Sequence, residues 1–158
     1  MSGDWDGWIS GLAVSLFDVS DFAKPTQQDV LTLDCDESWS EAIWDHHAIL
    51  VYNNIVAVPA YGYSYGWSSG EDMEGGDHYS YTSGLLVATI DTETGLKERG
   101  FVDHTTLVEE IYGEDRGFMP QMRRSLVIED HLFSISEVGV MVSKMDDPEN
   151  PVASIPLL

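Results

Sequence analysis

Three segments of the chain repeat one pattern. GLAVSLFD (Gly11 to Asp18), GLLVATID (Gly84 to Asp91) and GVMVSKMD (Gly139 to Asp146) each open on glycine and close on aspartate. A second pair aligns without a gap: HHAILVYNNIVAVPAYG (His46 to Gly62) against RRSLVIEDHLFSISEVG (Arg123 to Gly139). Strand-like segments that recur in this way cannot bury their faces alone. Neighbours must stack on one another, so the repetition restricts the chain to a repeat architecture.

Strand signals dominate between the copies. The turn-rich DVSDFAKP, with Pro25, ends the first copy and leads to a strand over Asp29–Leu33. Ala48–Tyr52 and Ile55–Ala60 form a hairpin around Asn53-Asn54, a pair suited to a type I′ turn. Leu85–Ile90 and Leu96–Val102 form another, with Gly95 in its turn. Ser125–Ile128 and Leu132–Ile135 pair across Glu129, Asp130 and His131. Val140–Met145 and Val152–Pro156 follow. Two short helices are expected, over Trp39–Trp44 and Thr105–Tyr112. Labelled by repeat, the strands run c, d, then a, b, c, d twice. The pattern predicts an all-β fold, a partial β-propeller of four-stranded antiparallel blades, about two and a half in number. The half blade covers 1–33, and the full blades cover 45–102 and 122–158.

Alternating connections put the a–b and c–d turns on one face of such a structure. The long links Asp34–Trp44, Tyr61–Ser83 and Asp103–Gln121 then share the other face. Long loops on a rigid scaffold are where function concentrates.

The segments GLAVSLFDVSDFAKP, SEAIWDHHAIL with IVAVP, RRSLVIEDHLFSIS and GLLVATID resemble the C-terminal β-propeller domain of predicted secreted bacterial and archaeal proteins, distantly WD40-like. The resemblance spans most of the chain and corresponds to the last two and a half blades of a larger propeller. It implies the fold and an extracytoplasmic location, and it implies no reaction.

The chain has 158 residues, with Lys+Arg 7 against Asp+Glu 28, a formal net charge of −21. So acidic a surface argues against nucleic acid and anionic membranes as partners. A solvated acidic surface of the salt-adapted kind and a Ca²⁺-loaded protein both fit the charge. No apolar run long enough to span a bilayer is present, so no membrane insertion is expected. Met1 leads into SGDWDGW, which lacks the basic start and apolar stretch of a signal peptide. Cys35, the single cysteine, sits between Asp34 and Asp36. Acidic neighbours argue against a reactive nucleophile.

The link Tyr61–Gly84 interleaves Tyr61, Tyr63, Tyr65, Trp67, Tyr79 and Tyr81 with Gly and Ser. Tyrosine on small-residue loops gives large contact area at low entropic cost, as in binding loops. The same link holds Glu71, Asp72, Glu74 and Asp77, hard oxygen ligands of the kind Ca²⁺ takes, without an EF-hand spacing. All five histidines sit in Asp-His contexts, at Asp45-His46-His47, Asp77-His78, Asp103-His104 and Asp130-His131. Asp/His sets ligate divalent metals. They also lock propeller loops by hydrogen bonding. Asp45, His46, Glu71, Asp72, Asp77, His78 and His104 are the candidate metal ligands. Glu109, Glu110, Glu114 and Asp115 form a second acidic cluster, but paired carboxylates arise by chance in so acidic a chain. No G-x-S-x-G elbow and no phosphate-cradling glycine motif occur. Asp18, Asp91 and Asp146 at the repeat ends, and Arg123 and Arg124 at the start of strand a, are expected to be structural.

These features favour a non-enzymatic binding module that engages a protein or polysaccharide outside the cytoplasm. No cofactor is firmly indicated, Ca²⁺ being the one candidate. The alternatives are a metal-dependent hydrolase using Asp45, His46, His78 and His104 on the same face, and a purely structural fragment. Open blade edges predict association with the rest of a larger propeller or with further copies.

Overall fold

The computed structural model describes residues 11–67, 77–113 and 118–157. They build antiparallel sheets. The first sheet has two strands, β1 (Ala13–Asp18) and β2 (Thr26–Thr32). The second has five: β3 (Glu37–Trp39), β4 (Leu50–Tyr52), β5 (Ile55–Trp67), β6 (Asp77–Asp91) and β7 (Gly95–Asp103). Helix α1 (Thr105–Tyr112) follows. The third sheet contains β8 (Met122–Ile128), β9 (His131–Ser136), β10 (Gly139–Lys144) and β11 (Ala153–Pro156), side by side in reverse chain order.

The all-β reading holds, and α1 forms where the sequence placed it. Trp39–Trp44 is not a helix. Trp39 ends β3, and Ser40 caps a 3₁₀ turn over Glu41–Ile43 by accepting the Ala42 N–H. A second 3₁₀ turn, His46–Ala48, is capped by Asp45. These short turns satisfy their own backbone groups on the way into β4.

The central strands β5 and β6 of the second sheet are covered on both faces, which is why IVAVPA and GLLVATI are apolar without a break. Its residues sort by parity. Ile55, Ala57, Tyr61, Leu85 and Val87 pack towards the third sheet, against Met122, Leu132, Met141 and the α1 residues Leu107 and Val108. Val56, Val58, Ala60, Leu86 and Ala88 pack towards the first sheet, against Leu12, Val14 and Leu31. The repeat glycines sit where the chain is crowded. A Cβ on Gly84 would collide with the Val102 carbonyl oxygen, and one on Gly139 would lie 2.7 Å from that of Ile155.

The gap-free alignment of the two a–b hairpins is one residue out of register. Asn53 and Glu129 are the non-glycine residues with positive φ among those described, so they mark the same turn position. The offset is therefore 76, not the 77 of the gap-free alignment. His131 belongs to β9, paired with Ile128, not to the turn. Arg123 and Arg124 correspond to His47 and Ala48. A one-residue slip reverses which face every side chain occupies. With Asn53 alone left-handed, the first turn is not type I′, which needs two such residues.

Pro59 lies in the middle of β5, a position that normally demands a backbone donor. It is tolerated because β4 pairs with Ile55, Val56 and Ala57 and β3 with Tyr61, Gly62 and Tyr63, leaving a gap opposite Pro59. Ser40 Oγ fills the gap by donating to the Pro59 carbonyl at 2.5 Å.

Candidate functional site

The link Tyr61–Ser83, expected as a loop, is largely strand. β5 and β6 stay paired from Ile55↔Thr89 out to Trp67↔Asp77. β4 and β7 leave them well before that, at Ala57 and Gly84. Beyond the Glu37↔Tyr63 pair the two strands run on as a ribbon. The sequence signal was present: Y-G-Y-S-Y and Y-S-Y alternate with period two, which is a strand pattern.

The alternation sorts the ribbon into two faces. Tyr63 lies opposite Tyr81 and Tyr65 opposite Tyr79, all on the face continuous with Tyr61. Gly62, Ser64, Ser80 and Thr82 occupy the reverse. The rings interlock: Tyr63 meets Tyr65 edge-on at 5.3 Å, Tyr65 meets Tyr79 at 5.0 Å, and Tyr79 lies nearly parallel to Tyr81 at 6.5 Å. Trp39 extends the row by stacking on Tyr61 at 5.8 Å. A two-stranded ribbon is marginal alone, and cross-strand aromatic pairs stabilise it. Tyr65 is 55% and Tyr79 47% exposed, so the row ends in accessible rings.

The base of the ribbon is fixed. Tyr61 is buried, its hydroxyl accepting from the Met122 N–H at 2.6 Å and donating to the Met122 carbonyl at 3.2 Å. Burial pushes its pKa up to about 12. Hydrogen bonding to Glu37 raises that of Tyr63. Asp36 accepts the Tyr65 N–H at 2.6 Å, and Ser83 donates to the Pro120 carbonyl at 2.5 Å. The links preceding the second and third sheets thus both meet the ribbon. The Cys35 thiol contacts the Glu37 carbonyl at 3.4 Å and abuts Gly62, where a Cβ would come within 2.5 Å of its sulfur.

The family model described as Beta propeller domain matches residues 2–148. The chain belongs to the β-propeller domain family. Neither a curated protein nor a solved structure matches it. The sheets are therefore the blades of the propeller.

The candidate metal ligands do not assemble as one set among the described residues. Asp45, His46 and His47 offer ligand atoms within 4.8 Å of one another. The Asp45 carboxylate is already engaged. It accepts from Arg124 Nη1 at 2.7 Å and from the His47 N–H at 2.9 Å. These bonds, Arg124 foremost, hold its pKa near 2. His104 is elsewhere, fully buried between blades. Its Nε2 lies 2.7 Å from Ser134 Oγ and its Nδ1 2.9 Å from Ser136 Oγ, and burial lowers its pKa to about 4. Asp103 does not hold it, and bonds Thr105 instead. Glu71, Asp72, Glu74, Glu114 and Asp115 lie outside the described residues. So do the side chains of Trp67, Asp77 and His78, whose backbones end the ribbon.

The remaining residues knit loops and blades. Asp18 accepts the Ser20 N–H, and Asp91 those of Glu93 and Thr94, which lowers both pKa values. In the third copy the turn bonds fall at Asp147, one residue past Asp146, where the carboxylate accepts from Asn150. Arg124 ties the third blade to Asp45 of the second. Arg123 faces Glu137 at 3.6 Å. Both arginine pairs are solvated rather than buried. Sequence reasoning overlooked Trp39 as part of the aromatic row. Its signal was the alternation of Glu37 and Trp39 around Ser38.

Proposed function

We propose that this propeller is a non-enzymatic binding module acting outside the cytoplasm, and that its contact surface is the tyrosine face of the ribbon. One observation carries the reading: a row of interlocked tyrosines, anchored at Tyr61, ends in exposed rings at Tyr65 and Tyr79. Rigid aromatics of this kind give contact area with little entropy to lose. The partner is a protein. Sugar stacking needs open ring faces, and here the rings of Tyr63, Tyr65 and Tyr79 meet edge to face. The charge of −21 favours a neutral or basic partner surface. The extracytoplasmic setting rests on the family resemblance.

The test compares the wild-type chain with a Tyr65→Ser, Tyr79→Ser variant, whose exposed positions leave the blades intact. Both are immobilised and exposed to fractionated extracellular proteins and to a glycan array. Binding of a protein that falls at least tenfold in the variant supports the reading. Glycan binding alone would replace the protein by a polysaccharide. Equal binding by both chains would remove the ribbon from the interface.

A further inference from the structure

We propose that Asp45, His46 and His47 form a site for a borderline divalent metal ion, of the Zn²⁺, Ni²⁺ or Cu²⁺ class, where the second blade meets the third. A carboxylate oxygen and one ring nitrogen from each histidine lie within 4.8 Å of one another. Asp45 Oδ1 and His47 Nδ1 are 3.2 Å apart. That separation falls between those of right-angled and tetrahedral ligands held about 2.1 Å from one ion. The two imidazole rings lie 4.0 Å apart between centroids, so the second nitrogen donor is beside the first.

The trio is held in place by its surroundings. Asp45 caps the 3₁₀ turn that carries both histidines, accepting the His47 N–H on Oδ1 at 2.9 Å. Arg124 Nη1 donates to Oδ2 at 2.7 Å. A carboxylate has about four acceptor sites, so Oδ1 keeps room for an ion. Arg124 remains on Oδ2 as the outer partner that orients the ligand. The histidines have little else to do. Both are exposed, and the His46 ring makes no hydrogen bond among the described residues. Entry into a blade does not call for them either. At the offset of 76, the third blade has Gln121, Met122 and Arg123 in these places.

The donor set decides the kind of ion. Ca²⁺, the ion the overall charge suggests, takes roughly six to eight oxygen ligands. Here there is one carboxylate, and Arg124 offsets its charge. Two imidazoles with one carboxylate suit a borderline ion instead. Three protein ligands leave a position open for water or for a donor from a partner. Asp45 also lines a cleft of about 220 Å³ with Glu41, Met122, Arg123 and Arg124, so the ion stands beside a space that a second molecule can enter.

The test is a calorimetric titration of Zn²⁺ into the full chain in excess Ca²⁺, which occupies the diffuse acidic surface. The expected result is saturable binding of one equivalent. It weakens at least tenfold in His46→Gln and in His47→Gln, and it is unchanged in His78→Gln and His131→Gln. Asp45→Asn weakens it at least tenfold, whereas Arg124→Ala, which breaks the same ion pair and spares the ligands, retains it. The two histidine positions are exposed, so thermal melts of their metal-free variants match wild type. With Cu²⁺ as the probe, electron paramagnetic resonance shows coupling to two imidazole nitrogens, and to one in either histidine variant. The Tyr65→Ser, Tyr79→Ser variant binds Zn²⁺ normally, which separates this site from the ribbon. Absence of saturable binding in excess Ca²⁺ overturns the proposal. So does binding that His46→Gln or His47→Gln leaves unchanged, or that His78→Gln or His131→Gln abolishes.

Discussion

Acid should weaken this protein through His104. The imidazole is enclosed between two serine hydroxyls, and burial alone moves its pKa from 6.5 to about 4. Between those values the unfolded chain binds a proton that the folded chain refuses. The contribution is fully present above pH 6.5 and is lost as pH falls through that window towards 4. At about 1.4 kcal/mol per pH unit, the loss is about 3 kcal/mol. Carboxylates titrate in the same range, so the measurement must be differential. Urea unfolding of wild type and His104→Gln is followed from pH 7 to pH 4. Glutamine keeps a donor and an acceptor for Ser134 and Ser136 but cannot titrate. Wild type should lose about 3 kcal/mol more than the variant over this range. Parallel curves would show that the folded protein accommodates the imidazolium, and the burial argument would fail.

Tyr61→Phe should cost about 2 kcal/mol, because it leaves the buried Met122 N–H without its partner. It should also flatten the loss of stability that wild type shows from about pH 10 towards 12, where the buried phenol resists ionising. Chemical denaturation at pH 8 and pH 11 checks both, and Tyr65→Phe should stay within about 0.5 kcal/mol of wild type. Gly84→Ala should destabilise by about 3 kcal/mol, since its Cβ meets the backbone of β7. Gly113→Ala, left-handed at the α1 C-terminus but in open space, should cost about 1 kcal/mol. Equal effects in thermal melts would contradict the packing at Gly84. Arg124→Ala should raise the Asp45 pKa from near 2 towards the usual carboxylate range. A carboxyl shift titration by NMR that stays near 2 would place the cause in the His47 N–H instead.

The blade pattern was legible because burial on both faces writes itself into sequence. IVAVPA and GLLVATI are apolar throughout, and the glycines that head the second and third copies mark close backbone contacts. The register was not legible. Neighbouring positions in LVY, IVAVP and LVI are all apolar, so the hairpin alignment slips by one residue without penalty in composition. The positive φ of Asn53 and Glu129 and the closing pairs Tyr52↔Ile55 and Ile128↔His131 fix it. The ribbon was half legible. Its tyrosines were singled out, but glycine and serine between them suggested a loop. The small residues instead fill a reverse face that asks for no bulk. The surroundings of His104 were not legible for a different reason. His104 is held by serines thirty or more residues further along the chain, a contact that adjacency to Asp103 does not foretell.

Pro59 divides the second blade into two separately held parts. Below it, β5 is flanked by β4. Above it, the flanking strand is β3, which comes from the link before the blade. The ribbon is therefore not a portable hairpin. Moving Tyr61–Ser83 alone onto another propeller would leave behind Glu37, Ser38 and Trp39, and with them the backbone partners of Tyr61, Gly62 and Tyr63. A working graft has to carry both segments, joined through a blade of matching height.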